Sequence, residues 1–141
     1  MAPLNYCQRW LTTACLLAAL AVLLGAFGAH GLSRQLTASE KPKATIEKQL
    51  DQWETAVRYH MYHALALMVV SFVATGEPNR RAHFSGGLFL AGMLVFSGGL
   101  YGYVLTGWRP LVLVVPVGGV AFIGGWLTLA CSLDRSPHSD L

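Results

Sequence analysis

The chain alternates long apolar runs with short polar ones. Four runs stand out, at about 10–32, 59–75, 84–106 and 111–133. A helix crosses the hydrocarbon core of a bilayer with about 20 predominantly apolar residues, within a range of roughly 17–25. All four runs meet that length, the second only with its polar start at Tyr59-His60. The pattern predicts an all-α fold, an integral membrane bundle of four transmembrane helices. The runs use most of the chain, so residues 1–141 are expected to form a single membrane domain with no separate soluble one.

The second run has a distinctive approach. Ile46, Leu50, Trp53 and Val57 recur at spacings of four, three and four, while Glu47, Lys48, Asp51, Gln52 and Glu54 take the other faces. That is the period of an amphipathic helix. Met61, Ala64 and Met68 continue the stripe. One long helix is therefore expected from about 44 to 75, with an amphipathic segment over 44–58 outside or along the membrane and a spanning half beyond it. Glu54 precedes Arg58 by four residues, the favourable order for an ion pair on a helix. Pro42 marks its start and 33–43 reads as a polar linker, with Gly31 as a C-cap for the first span. The stretch 76–83 reads as a tight turn, and 106–110 as a short hairpin anchored at the interface by Trp108 and Arg109.

Composition agrees with this picture. Hydrophobic residues make up 54% of the chain and charged ones 12%, half or less of the ~25% usual in soluble domains. A net charge of +3 is too modest for a nucleic-acid binder, and no nucleic-acid partner is expected. The first run resembles a secretory signal, with Arg9 before it and small residues near its end. Its apolar stretch exceeds the roughly 7–15 residues of a signal core, so a retained span is expected. Cys7, Cys15 and Cys131 lack the CxxC spacing of redox or zinc sites and read as small apolar residues, buried or interfacial.

Small residues let helix backbones approach closely in lipid, where no hydrophobic force drives helix association. Gly25, Gly28 and Gly31 recur every third residue in the first span, and Gly98 and Gly102 form a small-xxx-small pair in the third. Pro116, Gly118 and Gly119 interrupt the fourth. Gly25, Gly28, Gly98, Gly102, Pro116, Gly118 and Gly119 are the expected packing positions.

Titratable groups inside a span are costly and mark either a site or an internal tie. With four antiparallel spans, the 33–58 connection and the 107–110 hairpin share one side. Counting inward at 1.5 Å per residue brings most of His30, His63, Tyr101, Ser97 and Pro116 to within roughly 10 Å of each other in depth. His30, Arg58, Tyr59, His63 and Tyr101 form the candidate polar cluster. His60 and His63 are three apart and His30 comes from the adjacent span, so a histidine metal site or a proton path is geometrically open. No carboxylate lies inside a span to complete a metal site, and neither a metal nor a cofactor is expected. The patterns GxSxG, HExxH and a phosphate loop are absent, and Ser97 has no base beside it in sequence. No enzymatic activity is expected.

Four stretches together resemble a known family. They are Gly25-Ala26-Phe27-Gly28-Ala29-His30-Gly31-Leu32, Thr55-Ala56-Val57-Arg58-Tyr59-His60-Met61-Tyr62-His63-Ala64-Leu65, Phe96-Ser97-Gly98-Gly99-Leu100-Tyr101, and Pro116-Val117-Gly118-Gly119 with Gly125-Trp126. In this order they resemble the YgdD/YwdK-like family of small inner-membrane proteins, a domain-of-unknown-function family with a related vertebrate transmembrane protein. The resemblance implies a multi-span bundle in the bacterial inner membrane and no established activity. The family more often carries serine where Gly99 stands, and glutamine also occurs where His60 stands. His30 and His63 are thus the better pair.

Arg34, Lys41, Lys43, Lys48, Arg58 and Arg109 lie on the side of the long connection, against Arg9, Arg80, Arg81 and Arg135 on the side of the termini. The positive-inside rule then places the termini outside. The expected role is structural or accessory, with the lipid bilayer and a second copy or another membrane protein as partners. The alternative is a carrier or sensor of a proton, metal or small polar solute that uses the His30/His63 cluster.

Overall fold

The computed structural model describes residues 6–75 and 79–133. Four helices are long and apolar enough to cross a membrane: α1 (Cys7–Thr37), α2 (Lys43–Val73), α3 (Arg80–Thr106) and α4 (Pro110–Leu133). Helix α1 packs chiefly on α2 and α4 chiefly on α3, while α2 and α3 meet in the middle of the bundle. The outer faces are apolar. Leu94 and Leu113 are each 77% exposed, and Leu16, Leu23, Phe72, Val120 and Leu127 also face outward. So much exposed apolar surface is a liability in water but the ordinary solvent-facing side of a bundle in lipid.

Two helices carry π-helical turns, at Gly28–Leu32 in α1 and at Met93–Ser97 in α3. The first corrects the expected end of the first span. The helix runs on through Ser33–Thr37, and Gly31 does not cap it. Leu32 and Leu36 explain the extension, because both are buried in one apolar cluster with Trp53 and Val104. Ile46, Leu50 and Val57 pack against the same cluster, so the amphipathic stripe of α2 has a partner inside the protein. Helix α3 likewise starts at Arg80, earlier than the hydropathy run. Asn79 caps it, its Oδ1 accepting the Ala82 N–H at 3.2 Å. Residues 76–78 of the expected turn lie outside the described residues.

The two ends of the α3–α4 hairpin are closed differently. At one end the Asn79 amide donates to the Ser132 carbonyl at 3.3 Å and Arg81 donates to the Cys131 carbonyl at 3.0 Å. Both satisfy carbonyls that the last turn of α4 leaves without helical partners. At the other end Gly107 adopts φ 71°, the left-handed conformation in which glycine carries no steric penalty, and Pro110 opens α4.

The α3–α4 seam alternates phenylalanine and glycine. Phe89, Gly92, Phe96 and Gly99 recur at three and four residues on α3, and Gly118, Phe122 and Gly125 do so on α4. A Cβ placed on Gly92 would lie 2.5 Å from the Phe122 ring, and one on Gly125 would lie 2.6 Å from the Phe89 ring. One on Gly118 would lie 2.5 Å from the Phe96 backbone nitrogen, so there the backbones themselves touch. Each ring is a knob seated in a hole that a missing side chain provides.

Candidate functional site

The candidate polar residues divide between two tiers rather than one layer. In the first, the Trp53 indole donates to the Leu24 carbonyl at 2.9 Å, with its ring against Gly28 and 4.7 Å from that of Tyr101. The Tyr101 hydroxyl lies 3.5 Å from His60 Nδ1. Trp53 is 3% exposed, so this part of the amphipathic segment is a core element rather than a surface one.

The second tier is centred on His63. Its ring stacks on Phe122, with centroids 3.4 Å apart and planes 7° from parallel. Nδ1 lies 2.8 Å from the Tyr59 carbonyl oxygen, and the Trp126 indole Nε1 lies 3.3 Å from Nε2. A carbonyl only accepts and an indole N–H only donates. His63 therefore carries its proton on Nδ1 and offers a lone pair at Nε2, the neutral form with both nitrogens engaged. Tyr59 covers this tier, its ring 4.7 Å from Phe96.

The structure does not bring His30 to His63, which corrects the expected pair. Gly28 and Leu32 face inward, and His30 sits between them on the exposed side of the π-turn. Two residues along a helix is about half a turn, so an inward Gly28 turns His30 outward. His60 and His63 also part company: His60 faces a groove between α1 and α3, and His63 faces α3 and α4. Among the described residues no three His, Cys, Asp or Glu side chains gather where a metal ion could be held. Arg58 is exposed and pairs with Glu54 at 2.7 Å.

The packing positions are partly reassigned. Gly28, Gly102 and Gly118 meet neighbours closer than a Cβ tolerates, whereas Gly25 has ordinary contact with Val57 at 3.4 Å. The nearest atoms to a Cβ on Gly98 and Gly119 are 3.9 Å away, and Pro116 is exposed. Gly86, Gly92, Gly99 and Gly125 are close-contact positions that the small-xxx-small pattern missed. The alternation of Phe and Gly at heptad spacing is the signal that finds three of them. Trp10 was also missed; it packs on Gly86 and donates to His83 Nδ1 at 2.8 Å, tying α1 to α3. Cys15 and Cys131 are unpaired and exposed on outward faces rather than buried.

Comparison with known proteins places this architecture. Residues 24–119, which carry Gly28, Trp53, both buried histidines and the Phe96–Gly118 contact, match the family model "Protein of unknown function (DUF423)". The chain belongs to the DUF423 family. Among its relatives is the UPF0382 membrane protein YwdK of Bacillus subtilis, 43% identical over 113 residues that cover 79% of this chain and 85% of that one. A UPF0382 membrane protein of Haemophilus influenzae is 36% identical over 129 residues, covering 92% of this chain and 96% of the relative. One from Staphylococcus aureus is 41% identical over 112 residues, 79% of this chain and 84% of its own length. No solved structure matches. With DUF423 membership and four helices of spanning length, the chain is a multi-pass membrane protein.

Proposed function

We propose that this protein is a structural or accessory component of the bacterial inner (plasma) membrane and catalyses no reaction. The observation that carries this reading is the commitment of His63. Both of its ring nitrogens are engaged inside the bundle and its face is covered by Phe122. A proton carrier or metal ligand needs a free lone pair or an exchangeable position, whereas interhelical hydrogen bonds in a span hold helices together. The Phe–Gly seam supports the same reading, because it devotes the closest helix approach to packing. The partners in this proposal are the lipid bilayer and a second copy or another membrane protein. Gly98 and Gly119 have no tight neighbour within the chain and are open to such contacts.

The reading is tested by pairing stability with complementation. His63→Ala is expected to lower the melting temperature of the purified protein, and His30→Ala to leave it unchanged. Suppose His30→Ala keeps full stability yet abolishes rescue of any defect shown by a strain lacking the protein. His30 would then act in function, and the carrier or sensor reading would replace this one.

A further inference from the structure

Among the described residues, three buried side-chain polar atoms have no hydrogen-bond partner: Gln52 Oε1, His60 Nε2 and Ser97 Oγ. Two of the three line one groove. It lies between α1 and α3, has a volume of about 380 Å³, and is otherwise walled by apolar side chains such as Leu20, Leu24, Leu90 and Leu94. His60 is 5% exposed and Ser97 1%.

Orphaned polar atoms are costly anywhere and more so in lipid, where no water compensates. The other buried serines obey this rule. Ser71 and Ser132 donate to carbonyls of their own helices, and Ser85 donates across to Gly125 at 2.8 Å. Ser97 is the exception, and it ends the π-turn of α3, whose i→i+5 bonding directs the Gly98 N–H to the Met93 carbonyl. A serine in a regular helix donates to that i−4 carbonyl. Turns of this kind recur at functional sites.

The chemistry facing the groove is donor-rich. When the Tyr101 hydroxyl donates to His60 Nδ1, the ring proton stands on Nε2, and Ser97 adds an O–H. Two donors over an apolar bed fit one acceptor oxygen on an apolar body. Depth chooses among such molecules. Ser97 lies four residues from Met93, the midpoint of α3, or about 6 Å along the helix. With α3 centred in a hydrocarbon core ~30 Å thick, the ester carbonyls of bilayer lipids lie about 15 Å from the midplane, beyond reach.

We infer that the groove between α1 and α3 is a binding site for a lipid-soluble carbonyl compound of the quinone class, held by Ser97 and His60 over the leucines of α1 and α3. Binding of a decyl-substituted benzoquinone to the full chain in detergent micelles, read by quenching of tryptophan fluorescence, tests it. Saturable binding is expected. Ser97→Ala and His60→Phe each weaken it about tenfold, the effect of losing one hydrogen bond. His60→Gln keeps a donor and restores most of it. Gly98→Leu fills the groove from a position with free space and abolishes binding without touching either donor. The melting temperature of Ser97→Ala stays level or rises, because the change removes an orphaned group. Absence of saturation overturns the proposal, as does equal affinity in all the variants. Displacement of the probe by phosphatidylglycerol, with the same dependence on Ser97, also overturns it and makes an ester lipid the occupant. None of these outcomes bears on His63, so the site and the structural role stand or fall separately.

Discussion

His63 Nε2 accepts the indole N–H of Trp126 across the α2–α4 interface at 3.3 Å. This contact joins residues far apart in sequence and uses the last free position of the histidine ring. A group that looks titratable in the sequence is, in the fold, a neutral hydrogen-bonding bridge. The same ring stacks on Phe122, which in turn occupies the space above Gly92. The polar tier and the Phe–Gly seam are therefore one mechanical unit.

Removing either end of the His63–Trp126 bond should destabilise the bundle modestly. Interhelical hydrogen bonds in membrane proteins average about 0.6 kcal/mol and reach about 1.7 kcal/mol. Trp126→Phe and His63→Phe are expected to fall in that range, and the double variant to cost less than the sum. Thermal unfolding of all four proteins in one detergent measures the coupling; strict additivity would show that the pair does not interact.

Gly118 and Gly119 are adjacent in sequence but opposite in consequence. A Cβ on Gly118 meets the Phe96 backbone at 2.5 Å, while one on Gly119 meets only the Phe96 ring at 3.9 Å. Gly118→Ala should cost about 1–3 kcal/mol, as overpacking does when backbone must move. Gly119→Ala should stay within about 0.5 kcal/mol of the parent. Equal melting shifts for the two would contradict a backbone contact at Gly118.

Gly28 exists to admit Trp53. A Cβ there would stand 2.5 Å from Trp53 Cδ1 and 2.6 Å from Nε1. Gly28→Ala alone should destabilise by about 1–3 kcal/mol. Trp53→Phe removes both the clash and the hydrogen bond to Leu24, so the double variant should be more stable than the two single losses predict. Additive losses would mean that the indole is not the group Gly28 accommodates.

Charge asymmetry predicts orientation. The end of the bundle that carries Arg34, Lys41, Lys43, Lys48, Arg58 and Arg109 has more Lys and Arg than the end with the termini, Arg80 and Arg81. A C-terminal fusion is expected to activate an alkaline phosphatase reporter, which needs export, and to leave a cytoplasmic fluorescent reporter dark. Fluorescence without phosphatase activity would invert the assignment.

Hydropathy alone determined the number of helices, because a span must be apolar along its whole length whatever its neighbours are. The stripe Ile46–Leu50–Trp53–Val57 likewise identified one continuous α2, since helical period is local. The ends of the helices were less legible. Burial of Leu32 and Leu36 under Trp53 extended α1 past its apolar run, and no local rule announces that. The candidate site was legible as a depth but not as a direction. Counting residues puts His30, His60 and His63 near one level, yet a helix turns about 100° per residue, and only packing decides which way each side chain faces. Gly28 against Trp53 sent His30 outward, Phe122 drew His63 toward α4, and the π-turn of α3 left Ser97 lining one groove with His60. Sequence thus determined what the helices are and how deep their unusual residues lie. The tertiary structure decided which of those residues meet, because rotation about each helix axis is set by contacts between helices rather than within them.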